Sequence, residues 1–284
     1  MSWQILITLS IFLYSSSVLL QRVLLKNNKT DPISFAILFQ TGVSLVIGLF
    51  VLITKGGINF PNLLPFFWSV VLMTVSYALA NIFIFKSLKF TEASSFTVIF
   101  SSKTIFAILG ASLFLGEKLN FNQWIGSFLI LAGVMVVSMR DKLKIKLGEI
   151  FALTAAVLFG LANTNDRFLV QAFDSYSYVI IGFLLPAIFI TGIYPKKILG
   201  IGSMFKEKLF LPKLAILCFL YGFAAVTFFQ ALQITTNSSQ LFSINALSGI
   251  LTVILSIIFL KEYEFIPRKI IGAALSLVGL LLVS

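Results

Sequence analysis

Residues 33–53 read ISFAILFQTGVSLVIGLFVLI, a run of 21 residues without a charged side chain. A helix of about 20 mainly apolar residues is long enough to cross the hydrocarbon core of a bilayer. The run is continuously apolar and lacks the alternation of apolar and polar residues that is typical of a membrane β-strand. The stretch therefore predicts a membrane-spanning α-helix.

The rest of the chain repeats this pattern between short polar breaks. We predict an all-α, polytopic membrane protein with ten transmembrane helices, numbered here as spans 1 to 10. Their predicted bounds are 3–25, 33–53, 64–85, 93–115, 121–139, 147–170, 178–194, 211–234, 238–260 and 266–283. The longest break, residues 195–212, is expected to be a basic loop, and none is long enough for a soluble domain.

The composition excludes several classes of protein. Of the 284 residues 59% are apolar and 11% are charged, against about 25% charged in an average soluble protein, and the mean hydropathy is +1.05. A soluble enzyme, a disordered protein and a coiled coil are therefore excluded. Histidine is absent and Cys218 is the single cysteine, so His-based catalysis, His zinc sites and an intramolecular disulfide are excluded as well. We expect no enzymatic activity, no metal and no cofactor.

The two halves of the chain resemble each other. Residues 85–95 (FKSLKFTEASS) align with residues 229–239 (FQALQITTNSS) at an offset of 144, and residues 114–117 (FLGE) align with residues 259–262 (FLKE) at an offset of 145. This offset predicts two five-helix repeats, residues 1–139 and 140–284.

The distribution of positive charge predicts how the repeats lie in the membrane. With five helices in each repeat, the second copy must face the opposite way. The net charge is +11, and 17 of the 21 Lys and Arg residues lie in or beside loops that follow odd-numbered spans. Since basic residues concentrate on the cytoplasmic side, an inverted repeat with both termini outside is expected. The positive charge then reports orientation in a lipid bilayer, and nucleic acid is not an expected partner.

Two short motifs recur in the same order in both halves. Residues 113–118 (LFLGEK) and 258–263 (IFLKEY) end spans 4 and 9, and each is followed by a span that contains glycine. Near the start of each half, residues 14–17 (YSSS) precede Arg22, and residues 159–163 (FGLAN) precede Arg167. In this order and spacing, the chain resembles the drug/metabolite transporter superfamily and, within it, the ten-helix EamA-type proteins.

The resemblance implies a secondary transporter in the cytoplasmic membrane, and export is the commoner assignment among such relatives. The chain departs from the family where relatives commonly carry a proline midway along helices 4 and 9, since Thr104 and Ser248 lie near those places. Many relatives carry an arginine in helix 2, where this chain has Gln40. Relatives are usually drawn with cytoplasmic termini, contrary to the charge distribution here.

Lys103 is the candidate binding residue with the most specific chemistry. It lies near the middle of span 4, where a charge costs at least about 2.5–3.5 kcal/mol and should therefore face protein or water. We expect it to attract a carboxylate or phosphate of the substrate. A structural partner, such as a backbone carbonyl or Asn245, and a neutral lysine in proton coupling are the alternatives.

Other candidate residues are polar side chains in or near apolar spans. The further substrate-binding candidates are Tyr77, Asn81, Asn163, Tyr221, Gln240 and Asn245. Near the span ends, we expect anchoring or gate-supporting roles for Arg22, Glu117, Arg167 and Glu262. No Asp or Glu lies at a clear midplane position, which disfavours a proton/cation antiporter of the four-helix multidrug kind.

Small polar residues also recur at helical spacing in spans 4 and 9. In span 4 they are Ser94, Thr97, Ser101, Thr104 and Ser112, and in span 9 they are Ser238, Asn245, Ser248, Thr252 and Ser256. They either allow close helix packing or line a central pathway between the repeats.

The sequence therefore predicts a secondary transporter for a small organic metabolite, anionic or zwitterionic and amino-acid-like. It would work by alternating access, as a monomer or a homodimer. A purine, nucleoside or sugar-conjugate carrier is the alternative within the class, and a membrane scaffold subunit is the alternative outside it. There is no GxxxxGKS/T loop that would bind ATP.

Overall fold

The computed structural model of the chain describes residues 2–26, 30–106, 121–138, 146–235, 241, 244–245 and 247–283. Within these residues the side chains of 123, 138, 167, 168 and 283 are not described. The described part of the chain forms helices and contains no strand. The prediction of an all-α protein is thereby confirmed.

Eleven helices lie in the described residues. They are α1 (Trp3–Leu25), α2 (Pro32–Lys55), α3 (Phe67–Phe90), α4 (Ala93–Phe100), α5 (Phe121–Ser138), α6 (Leu147–Ala172), α7 (Ser175–Ile193), α8 (Lys197–Met204), α9 (Phe210–Ile234), α10 (Leu247–Leu260) and α11 (Ile266–Val283). A 3₁₀ turn at Leu64–Phe66 leads into α3.

In the described residues, six helical segments are long and apolar enough to cross a membrane. These are Trp3–Leu25, Pro32–Lys55, Leu64–Phe90, Leu147–Ala172, Ser175–Ile193 and Phe210–Ile234. Trp124–Val137 and Leu247–Leu260 are apolar but shorter. The total of ten spans stays a prediction, because parts of spans 4 and 9 lie outside the described residues.

Two predicted segments differ from the structure. Residues 195–212 were expected to form a loop, but they contain α8, whose Met204 is buried in the main hydrophobic core. The apolar residues inside this basic segment are thus enough to dock a short helix. Span 4 was expected to be continuous, but its first helix ends at Phe100.

Helices α2 and α7 pack side by side and run antiparallel. Asp31 caps the start of α2 by accepting a hydrogen bond from Ser34 N (2.9 Å), and its Oδ1 lies 2.9 Å from Nζ of Lys197, which follows α7. At the opposite end, Asp174 caps the start of α7 and lies 3.7 Å from Nζ of Lys55, the last residue of α2. Each helix therefore begins where the other one ends.

Other helix pairs also join the two halves of the chain. Helix α1 packs on α9 and α3 packs on α6, while α1 also contacts α10 and α6 also contacts α4. Helices α5 and α11 pack closely against each other. Under the offset of about 144 residues, the contact of α1 with α9 corresponds to that of α6 with α3, and the contact of α5 with α11 corresponds to itself.

Aromatic rings fill the main core next to α2. The ring of Phe39 lies 5.3 Å from that of Phe85 and 5.0 Å from that of Tyr221, both edge-on. Edge-to-face pairs of this kind are a favourable aromatic geometry. Cys218 is buried in the same cluster, so it occupies the core position expected for a single, unpaired cysteine. This core fixes α2, α3 and α9 around the middle of the molecule.

Candidate substrate site

The fourth span is interrupted in its apolar stretch. The chain turns at Ser101 and Ser102 after Phe100, and residues 103–106 then return to helix. Ser102 N donates to Ile99 O (3.1 Å) and Ile105 N donates to Ser102 O (2.9 Å), so each bond reaches back three residues instead of four. The hydroxyls of both serines also donate to carbonyls three residues earlier. Discontinuous helices of this kind form the binding sites of many secondary transporters.

Lys103 begins the segment that follows this turn, and its side chain is half-buried. Its Nζ lies 4.7 Å from the ring centroid of Phe100 and 4.8 Å from that of Phe159 in α6. The negative faces of the rings attract the ammonium group. Within the described residues, no carboxylate lies within 4.0 Å of this Nζ. Among the described residues, two aromatic rings are thus the groups that hold its ammonium group.

Phe159 connects this lysine to Tyr77 of α3. The two rings lie 5.0 Å apart at 74°. The Tyr77 hydroxyl lies 3.5 Å from Oδ1 of Asn163 and donates a hydrogen bond to Oδ2 of Asp166. The structure thus brings three predicted site residues, Lys103, Tyr77 and Asn163, around one aromatic ring.

Asp166 is the residue of this cluster that the sequence analysis missed. It is 4% exposed and lies six residues before the end of α6. Its two carboxylate oxygens accept hydrogen bonds from the hydroxyls of Tyr77 and Tyr178. A signal was present in the sequence, because Phe159, Asn163 and Asp166 follow the i, i+4, i+7 spacing of one helix face. The sequence-based expectation concerned acidic residues at the midplane of the spans and made no use of this spacing.

Tyr221 occupies a corresponding position in the other half of the chain. Its ring lies 5.7 Å from that of Tyr14 in α1 and 5.0 Å from that of Phe39 in α2. Tyr221 aligns with Tyr77 at an offset of 144, and Phe159 aligns with Tyr14 at an offset of 145. In both places a half-buried tyrosine from the middle of one half packs on an aromatic ring from the first helix of the other.

The amide residues have different surroundings. Asn81 is buried, and its Nδ2 donates to Gln40 Oε1 (3.3 Å) and to Tyr77 O (2.9 Å), so it links α3 to α2. Asn245 is helical and half-buried. Gln240 lies outside the described residues. Asn81 therefore supports the backbone that carries Tyr77.

Several small polar residues of spans 4 and 9 donate hydrogen bonds to backbone carbonyls of their own span. The hydroxyls of Thr97 and Thr252 donate to the carbonyl four residues earlier, each at 2.8 Å. A Cβ on Gly249 would lie 3.8 Å from the Thr97 methyl, so α4 and α10 are in close contact. Ser112 and Ser238 lie outside the described residues. These observations agree with the close-packing alternative for the two threonines.

Charged side chains connect several helix ends near the start of α4. Glu262, which follows α10, accepts hydrogen bonds from Ala93 N (2.9 Å) and Ser94 N (3.1 Å). Arg22 places its Nε 3.9 Å from Glu262 Oε1 and donates to the Leu88 carbonyl (2.6 Å) near the end of α3. The anchoring or gate-supporting roles expected for Arg22 and Glu262 stay predictions. Their predicted counterparts cannot be compared, because Glu117 and the side chain of Arg167 lie outside the described residues.

A second ion pair closes the same end of the molecule. Lys269 is 2% exposed, and its Nζ lies 2.6 Å from Glu92 Oε2 and 2.8 Å from the Glu262 carbonyl. At the offsets of 144 and 146, the other half has Thr236 and Gln123 in place of Glu92 and Lys269. This ion pair is therefore chemically possible at one end of the molecule only.

A model of the EamA-like transporter family matches residues 1–139 and, a second time, residues 146–284. The chain belongs to the EamA-like transporter family. The EamA resemblance predicted from the motifs is confirmed, and with it a multi-pass protein of the cell membrane that transports small molecules.

Comparison with solved structures shows the same fold elsewhere. One protein of known crystal structure matches 99% of this EamA-like chain and 97% of its own chain, with a TM-score of 0.67 and 15% sequence identity. At this identity the likeness concerns the fold alone. No curated protein matches the chain in sequence.

Proposed function

We propose that the protein is a secondary transporter that exports a small anionic or zwitterionic, amino-acid-like metabolite across the cytoplasmic membrane. The observation that carries the proposal is the position of Lys103 at the interruption of span 4. Its ammonium group rests on Phe100 and Phe159 and has no carboxylate partner in the described residues. A substrate carboxylate would neutralise this charge, and a charge-assisted hydrogen bond of this kind contributes about 1.5–3 kcal/mol.

The mechanism that we propose is alternating access between two inverted five-helix repeats, residues 1–139 and 140–284. The antiparallel packing of α2 and α7 supports this arrangement, because equivalent helices of an inverted repeat must run in opposite directions. The two matches to the family model support the same division of the chain. Rocking of the two repeats against each other would expose a site near Lys103 first on one side of the membrane and then on the opposite side.

The test is amino-acid exchange in liposomes that contain the purified protein. We expect saturable exchange of at least one of the twenty radiolabelled protein amino acids. Lys103→Ala should weaken the apparent affinity roughly 10- to 100-fold, which corresponds to the loss of about 1.4–3 kcal/mol. Lys103→Arg, which keeps the charge, should retain part of the apparent affinity.

Lys86 offers a matched control for the lysine substitution. Its Nζ also lies over two aromatic rings, 5.5 Å from each of Phe83 and Phe151, and its side chain is half-buried. It lies four residues before the end of α3, and its ring contacts do not include the two rings that hold Lys103. Lys86→Ala should therefore leave the exchange affinity unchanged. Equal affinities in wild type and a folded Lys103→Ala variant would overturn the binding role of Lys103.

The aromatic surroundings of Tyr221 favour a second candidate, a purine, nucleoside or sugar-conjugate carrier. Its half-buried ring packs edge-on against Phe39, and such rings stack on planar bases. In that case adenosine exchange should be saturable, lost in Tyr221→Leu and kept in Lys103→Ala. Amino-acid exchange that depends on Lys103 would support the first proposal and contradict the second.

A further inference from the structure

Asp166 is a buried carboxylate next to the proposed substrate site, and neither Lys103 nor any other described cation neutralises it. We propose that Asp166 is a proton-binding site that couples transport to a proton gradient across the membrane. The proposal rests on the transport function proposed above and adds a coupling ion to it.

The surroundings of Asp166 suit a group that changes its charge. Helix α7, which supplies Tyr178, contains no Asp, Glu, Lys or Arg. On α3, which supplies Tyr77, the lysines are Lys86 and Lys89, nine and twelve residues further along the helix. Lys103 lies at the level of Phe159, and α9 carries its one lysine in its first turn. Among the described side chains, which do not include that of the neighbouring Arg167, no cation lies within 4.0 Å of Asp166. An ionised carboxylate without a counter-charge is costly in an apolar interior, and binding a proton removes that cost.

The geometry favours a proton over a metal ion. Both oxygens of Asp166 accept hydrogen bonds from tyrosine hydroxyls, so hydrogen atoms rather than lone pairs point at the carboxylate. A metal ion of the Ca²⁺ type takes about six to eight oxygen ligands. In the described residues, Asn163 Oδ1 is the additional side-chain oxygen that the hydroxyl of Tyr77 reaches.

Tyr77 can transmit the protonation state of Asp166. The ionised carboxylate accepts the hydrogen bond of the Tyr77 hydroxyl. When an O–H bond forms at Oδ2, the acid becomes a donor, and the Tyr77 oxygen accepts that hydrogen. The hydroxyl hydrogen of Tyr77 is then free for Asn163 Oδ1, which lies 3.5 Å away. Because the Tyr77 ring packs on Phe159, which also contacts Lys103, this rearrangement reaches the proposed substrate site.

An open cavity lies at the end of the molecule nearest to Asp166. It has a volume of about 370 Å³, and its lining includes Ala172 at the end of α6 and Asp174 at the start of α7. Tyr178 lies four residues, or about one helical turn, beyond Asp174 and donates its hydroxyl to Asp166. Tyr178, about one helical turn from the cavity lining, is thus the residue of α7 that reaches the buried carboxylate.

The first experiment measures protonation without any substrate. Infrared difference spectra of the purified protein, recorded during acidification, should show the C=O band of a protonated carboxylic acid. The component of this band that Asp166 contributes should be absent in Asp166→Asn and present in Asp31→Asn, in which a carboxylate at the start of α2 is replaced by an equally good helix cap. Tyr77→Phe, which keeps the ring on Phe159, should shift the pH at which the band appears. A band that is the same in wild type, Asp166→Asn and Tyr77→Phe would overturn the proposal.

The second experiment measures coupling in liposomes that contain a pH-sensitive dye. A gradient of a mixture of the twenty protein amino acids should move protons in wild type and in Asp31→Asn but not in Asp166→Asn. Saturable amino-acid exchange without proton movement, or exchange driven by a sodium gradient instead, would overturn the proposal and leave the transport function standing. Absence of any amino-acid flux would overturn the proposed amino-acid-like substrate, while the infrared titration would still decide whether Asp166 binds a proton.

Discussion

Glu262 caps the helix that begins at Ala93, with a hydrogen bond of 2.9 Å from Ala93 N to Glu262 Oε1 across 169 positions of the sequence. The carboxylate also accepts bonds from the backbone N–H and the hydroxyl of Ser94. The free N–H groups of a helix start favour a negative charge. One side chain of the second half thus completes a helix of the first.

We expect Glu262→Ala to lower the free energy of unfolding by about 1–2 kcal/mol, because two buried N–H groups lose their acceptor. Denaturant unfolding of the purified protein in detergent measures this change. Glu264→Ala is the control, since Glu264 is exposed two residues further on, and it should change stability by less than about 0.5 kcal/mol. Equal losses in the two variants would contradict a capping role.

The pair of Lys269 and Glu92 gives a prediction for coupled substitutions. Lys269 is 2% exposed, whereas the side chain of Glu92 is 23% exposed, and the two charged atoms lie 2.6 Å apart. Lys269→Met should cost about 3 kcal/mol, the low end for a broken buried pair, because Glu92 is partly solvated. The double variant with Glu92→Gln should cost less than the sum of the single variants. Additive losses in this double-mutant cycle would show that the pair does not interact.

Close packing of α5 and α11 depends on glycine. A Cβ on Gly279 would lie 2.5 Å from the Gly126 carbonyl oxygen and 2.8 Å from Ile130 N, both backbone atoms that cannot move aside easily. Gly279→Ala should therefore destabilise the protein by about 1–3 kcal/mol. Gly192→Ala in α7 is the control, because a Cβ there meets nothing within 4 Å. If the two variants unfold at the same temperature, α5 and α11 are not packed as described.

Acid should weaken the contact between α2 and α7. Burial alone would raise the pKa of Asp31, but hydrogen bonds from Lys197 and Ser34 and the charge of Lys197 together hold that pKa below its ordinary value of 3.8. The carboxylate therefore contributes stability above about pH 4, and this contribution is lost as the pH falls through the lowered pKa.

Thermal unfolding between about pH 7 and pH 3 tests whether stability falls with pH in this way. Wild type should lose stability at the acid end, and Asp31→Asn should lose less, since its amide does not titrate. The variant should also be less stable than wild type at neutral pH, because it lacks the ion pair with Lys197. An acid profile of the same slope in both proteins would assign the loss to other groups.

The helices themselves were largely predictable. The predicted bounds 266–283 agree with α11, and 211–234 agrees with α9 to within one residue. The reason is that backbone polar groups in lipid have no water to bond, so a long apolar run must close its own hydrogen bonds as a helix. The charge of Lys103 in such a run was likewise visible in the sequence, and its functional role stays a prediction.

The interruption of span 4 was not predictable from residue type. Ser101 and Ser102 are small and compatible with a continuous helix, and no proline marks the turn. What defines the turn is hydrogen bonding, since the hydroxyls of both serines donate to carbonyls three residues back. Such local bonds compete with the helical pattern, and the sequence does not show which pattern prevails.

By itself, the sequence determined the all-α membrane class and the family, because these depend on hydropathy and motif order. The role of Lys103, inferred from the cost of a charge in lipid, stays a prediction. The tertiary structure alone decided which side chains meet. Glu262 finds Ala93 across 169 positions, and Asp166 meets Tyr77 and Tyr178 from two other helices. These contacts depend on how helices distant in sequence pack together, and hydrophobic periodicity carries no information about a partner on another helix.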